Sequence, residues 1–272
     1  MLTRSEIKQY LEREPKFADM ICSLEAIARQ PKAMTRETEE IIALARRFND
    51  QVVRPYVAEL DRKVQADPDF LPHEFIAEAN RWGLYTLWIP KIFGGRGYNL
   101  PSLSYFIEEI ASVCVAMANL IGVHYLGVGA LIASWHTPII QRVFNEVVAG
   151  EKSGQPRLIS LALTSPEAGT DMQETELMDR GNMTCLATKV DGGYRVNGIK
   201  VFISNGHLST WHILVANADT DRPSSSLVVL AVCTGMQGFA FGRKERKMGQ
   251  KGCPASELIF DNCFVPDENV CF

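Results

Sequence analysis

The sequence predicts an α+β fold: an all-α N-terminal domain over residues 1–155, then a β-barrel-like domain over residues 156–272. Three observations carry this. The first half repeats apolar residues at spacings of three and four. The second half alternates apolar and polar residues between Gly- and Asn-containing turns. The change of period falls at "SGQPR", Ser153 to Arg157.

In "TRETEEIIALARRFNDQVVRPYVAELDRK" the positions Ile41, Ala45, Phe48, Val52, Tyr56 and Leu60 form one stripe of an amphipathic helix, with Thr35 as its N-cap. Pro55 brings no amide N–H and is expected to kink or divide that helix. "PHEFIAEANRWG" forms a second helix, with Pro72 at its start and Gly83 past its end. "IPKIFGGRGYNLP" is a loop, punctuated by Pro90, Gly94, Gly95, Gly97 and Pro101. Helix resumes near Ser102 and continues to about Val148, and "AGEKSGQPR" is a surface connection. Within it, Ile110 to Gln141 carries no Asp, Glu, Lys or Arg. Length and hydropathy alone nominate a membrane span. Asn119, His124, Ser134, several glycines and the lack of basic flanks favour buried core helices instead, so no membrane span is expected.

In the second half, "TCLATKVDGGYRVNGIKVFIS" alternates and breaks at Asp191-Gly192-Gly193 and at Asn197-Gly198, both read as hairpin turns because Gly and Asn tolerate positive φ. "WHILVANAD", "SLVVLAVC", "GFAFGRKE" and "SELIFDNCFVP" supply further strands.

Composition excludes several function classes. The chain of 272 residues has a net charge of −4, which gives no pull toward nucleic acid. The basic run "GRKERKMGQKG" is local and reads as a solvated loop or strand edge. Seven cysteines, an odd number without a C-x-x-C pair, and five scattered histidines argue against a disulfide framework or a metal site. A reducing compartment, the cytoplasm, fits this usage. The N-terminus "MLTRSEIKQYLEREPK" has no apolar core of a signal peptide. His124 reads as a satisfied core histidine.

No G-x-G-x-x-G, Walker A, H-E-x-x-H or G-x-S-x-G motif occurs. "LALTSPEAGTDM" is more informative. Gly169 lets bare backbone N–H groups approach a phosphate, and Thr164 and Thr170 add hydroxyls. Read alone, this loop is as compatible with a structural turn as with a ligand site. In "GIKVFISNGH" strand alternation puts Phe202 and Ser204 on one face, an apolar ring beside a hydroxyl, which suits an isoalloxazine ring. A strand entering a turn explains that motif equally well by itself.

Taken together, "IPKIFGGRG", "LALTSPEAGTD", "NGIKVFISNG" and "KMGQKGCPASELIFDNCFVPDENV" resemble four segments of the acyl-CoA dehydrogenase family, in the family's order and approximate spacing. The resemblance covers nearly the whole chain after Thr35. It implies the family's N-terminal helical and middle β domains, FAD as cofactor and an acyl-CoA as substrate. By this resemblance Leu161, Leu163 and Thr164 hold the flavin's pyrimidine edge. Gly169 and Thr170 contact the FAD pyrophosphate, with the Thr170 hydroxyl also near the acyl-CoA. Phe202 and Ser204 stand where the family has a Trp and a Thr beside the flavin ring, and both replacements keep the ring and the hydroxyl. Ser165-Pro166-Glu167 departs from the commonest family pattern.

The family continues beyond "VPDENV" into a C-terminal four-helix domain that carries the catalytic glutamate in most members. The family reaction removes an α-proton from the thioester while the flavin takes a hydride from the β-carbon, so a base must reach the carbon acid. Glu108, Glu109 and Glu167 are not assigned that role, and no catalytic residue is named within the chain. The resemblance thus implies the N-terminal half of a flavoprotein oxidoreductase of fatty acid metabolism, inactive without its partner domain. The implied partners are that helical domain on another chain, a homo- or hetero-oligomer, and an electron-transfer flavoprotein as acceptor. The alternative is a non-catalytic acyl-CoA- or protein-binding scaffold derived from the family.

Overall fold

A computed structural model describes residue 5 and residues 32–169, 175–179, 183–219 and 223–272. Within residues 32–157 lie α1 (Lys32–Phe48), α2 (Arg54–Ala66), α3 (His73–Arg81), α4 (Leu100–Ala111), α5 (Val115–Ala133) and α6 (Thr137–Ser153). The stripe of Ile41, Ala45, Phe48 and Leu60 is buried, as its spacing requires. Two local expectations change. Thr35 lies inside α1, which already includes Lys32, so it is not the N-cap. Pro55 does divide the helix, but through a π-helical segment at Asn49–Val53, with the proline in the first turn of α2, where its missing N–H costs least.

The apolar stretch forms the whole of α5, the end of α4 and the start of α6 rather than one continuous run. Breaks fall at residues 112–114 and 134–136, and α6 extends to Ser153, so the connection to the sheet is only residues 154–157. Among the described residues α5 is the one helix long and apolar enough to cross a membrane, and 56% of its apolar window is buried in the protein. Helix α4 packs along α5, and α5 packs onto the first strand. Gly127 permits that approach: a Cβ there would lie 2.5 Å from Ile159 Cγ2.

The β unit holds β1 (Leu158–Ala162), β2 (Leu186–Val190), β3 (Gly193–Ser204), β4 (Ser209–Asn217), β5 (Leu227–Cys233), β6 (Phe239–Lys244) and β7 (Ala255–Pro266). The strands form one curled sheet in the order β1-β4-β2-β3-β7-β6, with β5 also on β4. Strand β1 runs parallel to β4, so the chain passes from the helical unit into the strand at one end of the sheet order. One sheet face, with Ile159, Trp211, Ile213 and Ala231, joins the helical core, and the other closes a second core around Leu214, Val228, Leu258 and Phe260.

Asp191 and Gly192 make the β2–β3 turn as expected. Asn197-Gly198 does not turn. It lies inside β3 at a register shift against β7, with Gly198 at φ +129°. A side chain at Gly198 would also strike the Thr184 carbonyl at 2.5 Å, so a bulge uses the glycine that a hairpin would have used. The run from Gly242 to Gly252 ends β6 and continues as a largely exposed loop, with Met248 fully exposed.

Candidate functional site

Strand β1 ends at Ala162, and the next three residues are tied to β3. The Val201 N–H donates to the Thr164 carbonyl at 2.9 Å. Lys200 Nζ donates to the Leu163 carbonyl at 2.7 Å and to Ser165 Oγ at 3.0 Å. Ser165 and Ala168 then close a tight turn through Pro166-Glu167, with Ser165 N–H to Ala168 O at 2.9 Å. The loop and the strand singled out in the sequence are therefore one site, joined by hydrogen bonds.

Strand β3 bulges at this point. Lys200 pairs with Leu258 and Ile203 with Ser256, so Val201 and Phe202 together face Glu257. Phe202 takes φ +58°, a left-handed conformation disfavoured for a bulky residue, and the residue is 57% exposed. Ile203 is buried and Ser204 half-buried, so Phe202 and Ser204 do share the outward side.

The remaining residues distribute unevenly. Leu161 lies within β1 opposite Ile213 and packs on the helical core. Leu163 packs on a small cluster of Ala168, Met178 and Met183. Among the described residues neither the Thr164 nor the Ser204 hydroxyl has a protein partner. At Gly169 a Cβ would meet no atom within 4 Å, so the surrounding protein does not demand glycine there. Thr170 lies outside the described residues.

Lys200 is the residue that sequence reasoning passed over. It is fully buried on β3, and burial lowers its pKa to about 8. The signal was available: a lysine between Ile199 and Val201, in a strand otherwise apolar at that point.

Two buried histidines hold the scaffold. His124 Nδ1 accepts the Ile159 N–H at 3.1 Å and Nε2 donates to the Tyr85 carbonyl at 3.1 Å, which fixes the tautomer and joins α5 to β1. It is a satisfied core histidine, as expected. His212 bonds Ser160 Oγ at 2.7 Å and Thr234 Oγ1 at 2.9 Å. The six described cysteines are free thiols.

The exposed Phe202, the Thr164 and Ser204 side chains and the turn before Gly169 lie on the two segments that the hydrogen bonds join. The fold is a helical unit followed by a curled sheet. The chain belongs to the acyl-CoA dehydrogenase family: residues 35–151 match the family's N-terminal domain and residues 160–263 its middle domain. It is 29% identical over 238 residues to the probable acyl-CoA dehydrogenase FadE25 of Mycobacterium tuberculosis, covering 87% of this chain and 56% of that protein. It is 28% identical over 246 residues to the short-chain specific acyl-CoA dehydrogenase of Clostridium acetobutylicum, covering 87% and 58%. Among solved structures, butyryl-CoA dehydrogenase of Megasphaera elsdenii superposes with a TM-score of 0.69 at 27% identity, covering 86% of this chain and 58% of that one. The chain thus spans little more than half the length of these relatives.

Proposed function

We propose that this chain forms the N-terminal and middle domains of an FAD-dependent enzyme that dehydrogenates an acyl-CoA thioester between its α- and β-carbons, with the domain boundary at residues 155/156. The observation that carries the reading is the clamp between Val201 and Thr164, which joins the loop that bears the Thr164 hydroxyl to the bulged strand that bears the exposed Phe202. Bound there, FAD supplies the two-electron acceptor for the reaction. The Thr164 hydroxyl and the backbone of Leu161, Leu163 and Thr164 hold the pyrimidine edge. Phe202 and Ser204 flank the ring, and Gly169 and Thr170 admit the pyrophosphate, with Thr170 also reaching the thioester.

The catalytic carboxylate comes from outside residues 1–272, on a helical unit of the family. Glu109 is ion-paired to Arg46 at 3.1 Å, and Glu108 precedes it on α4. Val115 and Leu126 leave part of α5 exposed, and Trp135 follows it at 84% exposure, an apolar surface suited to cover by further helices. The reading carries an oligomer, an electron-transferring flavoprotein as acceptor and a cytoplasmic location. Its test is anaerobic addition of acyl-CoA to this chain, with and without a co-expressed C-terminal helical unit. Flavin bleaching only in the assembled form is expected. Bleaching by the 272-residue chain alone shows a base within it, and an assembly that holds flavin but never bleaches favours a binding scaffold.

A further inference from the structure

We propose that Lys200 is a positioning residue for the flavin site, clamping Leu163 and Ser165 on either side of Thr164 so that the loop presents its donors in one fixed geometry. The inference rests on the reading of this site as flavin-binding.

Lysine is almost never fully buried unless its ammonium is paired. Here the side chain is fully buried, and its two acceptors are a backbone carbonyl and a serine hydroxyl, both neutral. A methionine would fill the same strand position without the cost of desolvating a charge, so packing alone does not explain the residue. What the ammonium adds is reach and direction: one nitrogen bonds two residues of a loop that has left the sheet. With the Val201 N–H on Thr164 O, three consecutive loop residues are tied to two consecutive residues of β3. The next residue is Phe202, turned outward by the bulge. Loop and ring are therefore set from one anchor, and a shift of Lys200 displaces both.

Buried as it is, the ammonium acts through the loop. Charge-assisted hydrogen bonds are about twice as strong as neutral ones, so the clamp is firmest while Lys200 is protonated. Burial lowers its pKa to about 8. Among the described residues the titratable group facing it is Cys185, whose thiol burial pushes up to about 11 and which is neutral at that pH.

The experiment compares the wild-type chain, assembled with its C-terminal helical unit, with Lys200→Met and Ser165→Ala. FAD affinity is measured by flavin fluorescence from pH 6.5 to 9.5. Hydrogen exchange of residues 158–169 is followed in the flavin-free form. Expected is wild-type affinity that falls as pH rises past 8, affinity about tenfold weaker and flat with pH in Lys200→Met, and faster exchange of the loop in both variants. Ser165→Ala keeps the buried charge and the fold, so it serves if Lys200→Met does not fold. Wild-type binding with unchanged affinity, pH profile and loop exchange in the variants overturns the role of Lys200. Absence of flavin from the wild-type assembly overturns instead the reading of the site, and the loop-exchange comparison then stands as the test of the clamp.

Discussion

Asn205 Nδ2 donates to the Leu120 carbonyl at 2.8 Å, across the seam between the sheet and helix α5. Asn205 is fully buried, takes φ +59°, and its own N–H bonds the Pro254 carbonyl at 2.9 Å. It directly follows Ser204, so the first residue after β3 also ties the two units together. Asn is one of the few side chains that tolerates the left-handed region while offering a donor.

Asn205→Ala is expected to lower stability by roughly 1–3 kcal/mol, from the left-handed backbone and the lost bond to the Leu120 carbonyl together. Asn205→Asp keeps much of the backbone tolerance but cannot donate to Leu120. Urea denaturation of the two variants separates the contributions. A change below about 0.5 kcal/mol in both, the range of ordinary surface substitutions, contradicts a seam role for this bond.

The buried histidines set a pH limit on the fold. Burial lowers the pKa of His124 to about 4 and of His212 to about 3, both from 6.5. Thr234 Oγ1 donates to the Ser209 carbonyl, so it accepts from His212 Nε2–H, and Ser160 Oγ donates to Nδ1. Both rings are thus neutral when folded, and the unfolded chain takes up protons first. Their stabilisation is complete above pH 6.5 and is lost as pH falls toward 4, with a slope of up to about 1.4 kcal/mol per pH unit for each ring. Thermal unfolding between pH 7.5 and 4.5 shows the slope, and His212→Gln is expected to flatten it. Equal slopes in the two proteins rule His212 out as a source.

Much of this architecture was legible because burial follows period. Ile41, Ala45, Phe48 and Leu60 are buried as the stripe requires, whereas the alternation of β3 is interrupted at its two register shifts. Asn197-Gly198 misled because a bulge and a hairpin turn require the same positive φ, and only the distant β7 decides between them. The loop and the Phe202–Ser204 strand were each visible, but their contact was not. It depends on Lys200, which reaches 37 residues back along the chain to Leu163. Pairings at that separation leave no periodic trace in the sequence.

Phe202 places function against stability. The residue is 57% exposed and its backbone is left-handed, so the flavin-free protein gains little from it. Phe202→Gly is expected to raise the stability of the flavin-free chain by about 1 kcal/mol while weakening FAD binding. Paired melting curves and flavin titrations test this. A destabilised flavin-free variant shows that the ring packs within the protein, and unchanged flavin affinity shows that the ring does not touch the cofactor.

Gly169 and Thr164 provide the sharpest separation of ligand from scaffold. A Cβ at Gly169 meets no atom within 4 Å, and Gly169 is absent from the glycines held at positive φ. Gly169→Val is therefore expected to leave the melting temperature of the flavin-free chain unchanged, yet to block close approach of the pyrophosphate to the backbone. Thr164→Ala removes one hydroxyl and keeps the carbonyl that accepts from Val201, so its loss of FAD affinity is expected to be roughly 1 kcal/mol. The order is the test: Gly169→Val weakens FAD more than Thr164→Ala, and neither moves the flavin-free melting curve. If Gly169→Val binds flavin normally in the assembled protein, the pyrophosphate lies elsewhere. If it unfolds the flavin-free chain, the glycine serves the fold rather than the ligand.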